Sequence, residues 1–421
     1  MVTKLYAEDI LITGIDAGNT SLKISFLDET GNIKDFAIPT VIAPAPNTAI
    51  EMKDHKAFDI DPEELLHVRV KTEALDGEEK DAAWYVGLYA QNKKGVRQPK
   101  VNDGKAEQKF SDSNKAIFVI PTLASIAVAA IKADKKKVKV PLSIGETVES
   151  YKKRKDKLMD LFFGKHEVVF LDGPFKGQEV EIEITDVEIE VESVTTSLAI
   201  EFTIKNGECV ETEIGKKIGQ NYALADLGAG TTDVAVFTEK GVEKSKTHGT
   251  NIGTNAYIDQ IIREIAEKEE FKAVRQQLLK NGRSEEEAVP FLSREKFVNE
   301  IIKPEIEKVL DKPEQSYKPT YRVSWGWVKN VDVTDIVEKY LKKYAEDQKN
   351  SLLLTYAELD VNNFLLVGGG VLFGYEHGLK ELAGEQYGMI FPSLKESQFF
   401  TSRSFLIANY LRQLEKHVIN A

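Results

Sequence analysis

Apolar and polar positions alternate at period two in several short runs of this chain: Leu22, Ile24 and Phe26; Val234 and Val236; Val180, Ile182 and Ile184, then Val187, Ile189 and Val191. Each run reads as a strand with one buried face, and the last two as an antiparallel pair or one long bent strand. Continuous apolar runs at 10–15, 222–225 and 364–367, with Val138-Lys-Val-Pro-Leu, read as further buried strands. Helical spacing covers 113–133, 254–267, 293–310, 334–354 and 401–416. A basic amphipathic stretch at 146–163 also reads as a helix, with Gly164 as its stop. Residues 39–114 are weakly patterned and rich in Lys, Glu, Pro and Gly, which predicts a variable subdomain or a long insertion. The whole is mixed α/β.

One pattern occurs twice. The segment Ile15-Asp-Ala-Gly-Asn-Thr-Ser-Leu-Lys-Ile-Ser-Phe-Leu-Asp-Glu-Thr-Gly31 lies without a gap over Ala225-Asp-Leu-Gly-Ala-Gly-Thr-Thr-Asp-Val-Ala-Val-Phe-Thr-Glu-Lys-Gly241. Asp16 meets Asp226, Gly18 meets Gly228 and Gly31 meets Gly241, each 210 positions apart (226 − 16, 241 − 31). Both copies predict a buried strand, an Asp-x-Gly tip, an alternating strand and a glycine turn. Two unrelated hairpins can look alike by chance. Here the coincident residues sit at the tip, where packing constrains them least.

Composition narrows the chemistry. At 421 residues there is room for two or three domains. A net charge of −12 repels phosphate backbones, so direct nucleic-acid binding is disfavoured. The single cysteine, Cys209, excludes an internal disulfide and a thiolate metal cluster. The first residues lack the apolar run of a signal peptide, and the most apolar stretch, 116–131 with Pro121 inside it, falls short of the ~18–20 residues of a membrane span. The expectation is a soluble, cytoplasmic protein with no membrane partner.

Glycine at a hairpin tip lets backbone approach a phosphate, and successive amides there form an anion nest. Gly18, Asn19, Thr20 and Ser21, and likewise Gly228, Ala229, Gly230, Thr231 and Thr232, are the candidate phosphate contacts. Asp16 and Asp226 would repel bare phosphate, so each is expected to act with Mg²⁺, through water. Lys23 shares a strand face with Ser21 and is a candidate to neutralise phosphate charge. A third glycine tip, Gly368-Gly369-Gly370, follows a strand.

These three tips, in this order, resemble the phosphate and adenosine motifs of the superfamily of actin, heat-shock chaperone ATPases and sugar kinases. Within it, Ser397-Gln-Phe-Phe-Thr-Ser-Arg-Ser-Phe-Leu-Ile-Ala-Asn-Tyr410, and Val138-Lys-Val-Pro-Leu-Ser143 before a basic helix, resemble bacterial plasmid-segregation actins of the ParM type. The resemblance implies an actin-like (ribonuclease H-like) fold of two α/β domains, each a mixed sheet flanked by helices, with nucleotide in the interdomain cleft. Domain I would be 1–215, with the 398–421 helix packing back on it, and domain II 216–397. It further implies ATP, with GTP as the alternative, hydrolysis coupled to filament assembly, and a DNA-bound adaptor of a partition system as partner. Gly368, Gly369 and Gly370 would admit the adenosine. The family's water-orienting glutamate matches Glu192 in Val187-Glu-Ile-Glu-Val-Glu-Ser-Val, with Glu190 as the fallback. Glu188, Glu190 and Glu192 also fit a plain solvated strand face.

Rival readings are a sugar or acid kinase of the same superfamily, which lacks a convincing base here, and a non-hydrolysing cytoskeletal relative. There is no Gly-x-x-x-x-Gly-Lys-[Ser/Thr] loop, no dinucleotide fingerprint, no His-Glu-x-x-His and no Gly-x-Ser-x-Gly. Trp325 and Trp327 are expected on one face of a strand, as packing residues.

Overall fold

The computed structural model describes residues 9–48, 63, 65–91, 93–99, 101–102, 105–106, 109–146, 148–191, 195–311 and 317–419. The chain divides into two compact units, Met1–Gly219 with Phe399–Ala421, and Gln220–Gln398.

The first unit is built on a nine-stranded sheet: β1 (Thr13–Ala17), β2 (Ser21–Leu27), β3 (Ile33–Pro39), β4 (Ile42–Pro44), β5 (Leu65–Thr72), β6 (Asp81–Gly87), β7 (Lys137–Glu146), β8 (Gly164–Asp172) and β9 (Glu179–Val191). The order is β3-β2-β1-β7-β9-β8-β5-β6-β4. Residues 39–114 thus supply three strands of the main sheet rather than a separate insertion: β5 pairs with β8, and β6 with β5 and β4. β6 pairs within this stretch, and only β5 reaches a partner almost a hundred residues on.

Of the two readings of 179–191, the single long strand is observed. Its register against β7 slips between Ile184 and Asp186, directly opposite Pro141. Proline has no amide to give to the ladder, so the extra residue is accommodated where a bond is already missing. The central strands β1, β7 and β9 run parallel, with Ile15 level with Ile144 and Ile144 level with Ile189.

Two helices follow from the predicted stretches, α1 (Lys115–Lys132) and α2 (Val148–Phe162). The sequence stretch that fell short of a span forms an 18-residue helix with Pro121 inside it, long and apolar enough to cross a membrane by length and composition. It is a core helix instead: 83% of it is buried, against Ile24, Val68, Val140 and Ile182 of the sheet. Glu146 ends β7 rather than opening α2.

The second unit carries β10 (Tyr222–Leu227), β11 (Thr232–Thr238), β12 (Gly241–Val242), β13 (His248–Thr250) and β14 (Asn363–Val367), in the order β12-β11-β10-β14 with β13 also on β11. Its helices include α3 (Thr254–Ala266), α4 (Thr334–Glu358) and α5 (Gly369–Gly374); α4 and α5 pack on the sheet through Ala345, Leu352 and Val371, and α3 packs on α4. The single helix expected at 293–310 is three pieces, Arg294–Phe297, a π-helical Val298–Ile302 and Lys303–Asp311. Pro304 follows this widened turn; a proline there cannot donate its amide to an α ladder, and the π turn absorbs the misfit. The tryptophans do not share a strand face. Trp325 ends Arg322–Trp325 and packs edge-on against Phe271, whereas Trp327 sits in the turn before Val328–Asp332 and is 63% exposed.

The terminal helix α6 (Phe400–Ile419) packs on the first unit's sheet. Its backbone lies against Gly14, where a Cβ would come within 2.2 Å of both Leu406 N and Ser402 O. Asn409 Nδ2 donates to the carbonyls of Thr13 and Pro141, stitching α6 across β1 and β7.

Candidate functional site

The first tip is the β1–β2 turn. Strand pairing sets Asp16 opposite Lys23, and Lys23 Nζ donates to Asp16 Oδ2 at 3.0 Å in a largely buried ion pair. Lys23 was expected to address phosphate; here its ammonium also compensates the tip's own aspartate. Thr40 fixes the loop from the side, its hydroxyl donating to Gly18 O at 2.7 Å and its amide to Thr20 O at 3.0 Å. Asn19 Oδ1 is buried with no hydrogen-bond partner among the described residues.

The second tip is the β10–β11 turn, with a different charge. Asp226 stands opposite Asp233, the position that matches Lys23 at the 210-residue offset. Thr231 Oγ1 donates to Asp233 Oδ2 at 2.7 Å. The tip carbonyls are tied to the start of α3: Asn255 N donates to Ala229 O at 2.9 Å, and a Cβ on Gly253 would meet Ala229 O at 2.4 Å. Thr232 is buried; its hydroxyl donates to Ile252 O at 2.8 Å and accepts from Gln348 Nε2 at 2.7 Å. Its hydroxyl therefore holds the tip from beneath, and Thr231 and Gly230 are the exposed side of the turn.

The glycine run after β14 packs directly on this tip. Gly368 has φ +93°, and a Cβ there would fall 2.3 Å from Asp226 Oδ1 and 2.6 Å from Leu227 O. At Gly370 it would strike Tyr344 Oη at 2.2 Å, whereas at Gly369 nothing lies within 4 Å. So two of the three glycines are demanded by close packing on the second tip, and Gly369 alone is open to admit a ligand. Burial pushes the Tyr344 phenol well above its ordinary pKa; the Gln348 hydrogen bond opposes this, while Tyr257 and Asp226 add to it. Tyr344 stays a neutral hydroxyl beside Asp226.

The fallback Glu190 is not a solvated strand residue. It accepts from Arg412 Nη2 at 2.6 Å and Ser143 Oγ at 2.9 Å, anchoring α6 to the sheet. Glu188 pairs with Lys155. Glu192 lies outside the described residues. The strand leading to it ends at Val191, level with Glu146, at the same carboxyl edge of the parallel strands as the Asp16 tip. That edge is where open α/β sheets bind ligands.

Asp226 and Asp233 are two carboxylates at directly opposed ladder positions, and oxygen ligands of this kind are what a divalent cation takes. Asp16, the other expected metal partner, carries the Lys23 ion pair. Four residues of this arrangement escaped the sequence reading: Thr40, Asp233, Tyr344 and Gln348. Two had a signal, because Thr40 and Thr250 lie 210 apart and so do Lys23 and Asp233.

Residues 14–194 match the family described as the N-terminal domain of actin-like proteins. Among solved structures, ParM of Bacillus thuringiensis in apo form is 44% identical with a TM-score of 0.68, covering 99% of this chain and 100% of that one. The chain belongs to the actin-like ParM family. ParM of Bacillus thuringiensis with ATP gives 42% identity and a TM-score of 0.74 over 97% of this chain and 100% of that one. A ParM from Clostridium botulinum, solved as a 15-stranded filament, is 15% identical with a TM-score of 0.60 over 96% and 100%, a likeness of fold alone. No curated protein matches the chain. The actin-like ParM fold, mixed sheets flanked by helices, is thus the fold expected from the three glycine tips.

Proposed function

We propose that this chain is a cytoplasmic, filament-forming ATPase that assembles with Mg-ATP and hydrolyses it to drive plasmid segregation, with GTP as the alternative nucleotide. The observation that carries the reading is the second tip, where Asp226 stands opposite Asp233 and Gly368 packs against Asp226. Support comes from ParM of Bacillus thuringiensis, solved with ATP and with ADP at 42% and 41% identity. Asp226 and Asp233 would hold the divalent cation, whose charge offsets theirs and that of the phosphates. Gly18, Asn19, Thr20, Ser21, Gly228, Ala229, Gly230 and Thr231 serve as phosphate contacts, Lys23 balances charge at the first tip, and Gly369 admits the base or sugar. Glu192 orients the attacking water. Positioning and electrostatics supply most of the rate in phosphoryl transfer. The acidic chain leaves DNA to a basic, DNA-bound adaptor.

The test is a thermal melt with and without Mg-ATP, alongside right-angle light scattering. Ligand at a hundredfold excess over Kd stabilises by about 2.7 kcal/mol. Scattering should rise on adding Mg-ATP and decay as phosphate is released. No shift with any nucleoside triphosphate sinks the reading, and phosphate passed to a small hydroxyl compound moves it to the kinases.

A further inference from the structure

One buried side chain ties together every element beneath the second tip. Gln348 lies on α4 with 0% exposure. Its Nε2 is 2.7 Å from Thr232 Oγ1, 3.0 Å from Ile252 O and 3.3 Å from Tyr344 Oη. Thr232 is the last residue of the tip, Ile252 leads into α3, and Tyr344 stands where Gly370 has no side chain. Tyr344 and Gln348 are one helical turn apart, so they share a face of α4. That face touches both the tip and the glycine run. A second link, Tyr257 Oη donating to Asp347 Oδ2 at 2.6 Å, docks α3 on the same helix.

A buried amide is costly in an apolar core unless its groups are bonded, and here Nε2 is bonded while Oε1 is buried with no partner among the described residues, a cost that packing alone would not keep. Leucine or methionine of similar size would fill the same space, so packing alone does not call for glutamine. What glutamine adds is a two-proton donor that reaches the Thr232 hydroxyl and the Ile252 carbonyl at once. Thr232 has spent its own proton on the same carbonyl, at 2.8 Å. The three groups form a closed triangle holding tip and α3 start in one relation.

We infer that Gln348 is a positioning residue for nucleotide binding, fixing the second phosphate tip through Thr232. The inference rests on the nucleotide reading of the tips. It makes Thr232 an intermediary, held from beneath so that Thr231 and the Gly228–Gly230 backbone keep the shape that receives phosphate.

The experiment compares the full-length parent with Gln348→Leu, Thr232→Val, Thr232→Ser and the Gln348→Leu/Thr232→Val double variant. For each, Mg-ATP affinity is measured by calorimetry and the melting temperature is taken without nucleotide. Gln348→Leu should weaken Mg-ATP binding about tenfold, as should Thr232→Val, and the double variant no more than either. Thr232→Ser, which keeps the hydroxyl, should bind like the parent. A merely structural glutamine would lower the nucleotide-free melting temperature and leave affinity untouched; that result overturns the inference, as does full additivity of the two losses. Should Gln348→Leu fail to fold, Thr232→Val against Thr232→Ser decides the same question, and equal affinity in those two overturns it. A parent that binds no nucleotide overturns the functional reading itself, a separate failure from a parent that binds and variants that bind equally well.

Discussion

The two hairpin tips descend from one sequence pattern yet are finished differently. In the first, the strand position opposite the aspartate is Lys23, and the tip is internally neutral. In the second, the matching position is Asp233, and two carboxylates face each other. The first is held from the side by Thr40; the second is pinned from below by Gln348 through Thr232 and from the flank by Gly368. The same hairpin geometry therefore carries two different charge arrangements, set by the single side chain opposite each aspartate. The division of labour is the lesson: shared geometry, opposite electrostatics.

The largest expected effect breaks that comparison at its chemistry. On the proposed function, Asp226→Ala should cost at least about 10²-fold in turnover and abolish assembly, because the proposed cation site loses a carboxylate. Asp16→Ala should cost less, since Lys23 already answers that aspartate. Glu192→Ala should lower phosphate release about 10²–10⁴-fold while Mg-ATP affinity and polymerisation survive. Filaments that form and do not shrink are its signature in light scattering. Equal losses for Asp16→Ala and Asp226→Ala would erase the expected contrast between the two tips.

Next in size is the glycine run. Gly368→Ala puts a Cβ 2.3 Å from Asp226 Oδ1 at a φ of +93°. Left-handed backbone costs roughly 1–2 kcal/mol for a non-glycine residue, and overpacking about 1–3 more. A destabilisation of about 2–5 kcal/mol should appear in urea unfolding of the second unit. Gly369→Ala, with open space around it, should fall within about 1 kcal/mol of the parent and reveal itself only in nucleotide affinity.

How much of this was legible in the sequence follows a physical line. The hairpins were readable because alternation and turn glycines are local signals, and their equivalence because the offset is constant. Strands β4–β6 were not, because Leu65–Thr72 joins the sheet through Gly164–Asp172, almost a hundred residues on, and Asp81–Gly87 takes its place only between Leu65–Thr72 and Ile42–Pro44. The side chains behind the second tip were invisible for a related reason. Gln348 and Tyr344 sit in the middle of an ordinary helical pattern, and only packing brings them to Thr232 and Gly370. Gly368 and Gly370 carried a clear signal, and the structure adds a cause the sequence did not show, their close packing on Asp226, Leu227 and Tyr344.

The smallest effect tests the opposite charges directly. Lys23→Met removes the partner of a largely buried aspartate. Exposed ion pairs contribute about 0–1 kcal/mol and breaking a buried one costs about 3–5. This pair lies between, so a loss of about 1–2 kcal/mol is expected in nucleotide-free unfolding. Asp233→Asn does the reverse: it removes a like charge directly across the ladder from Asp226, a repulsion on the scale of about 0.2–1 kcal/mol. The nucleotide-free protein should become slightly more stable, because Asn keeps the side chain's size and its acceptor for Thr231. With Mg-ATP the sign should invert, since one of the two carboxylates suited to the cation is gone, and a magnesium titration at fixed ATP should need more metal to reach the same melting shift. If Asp233→Asn destabilises the nucleotide-free protein and leaves the magnesium titration unmoved, Asp233 serves the turn through Thr231 alone, and the contrast between the tips reduces to the Asp16–Lys23 ion pair.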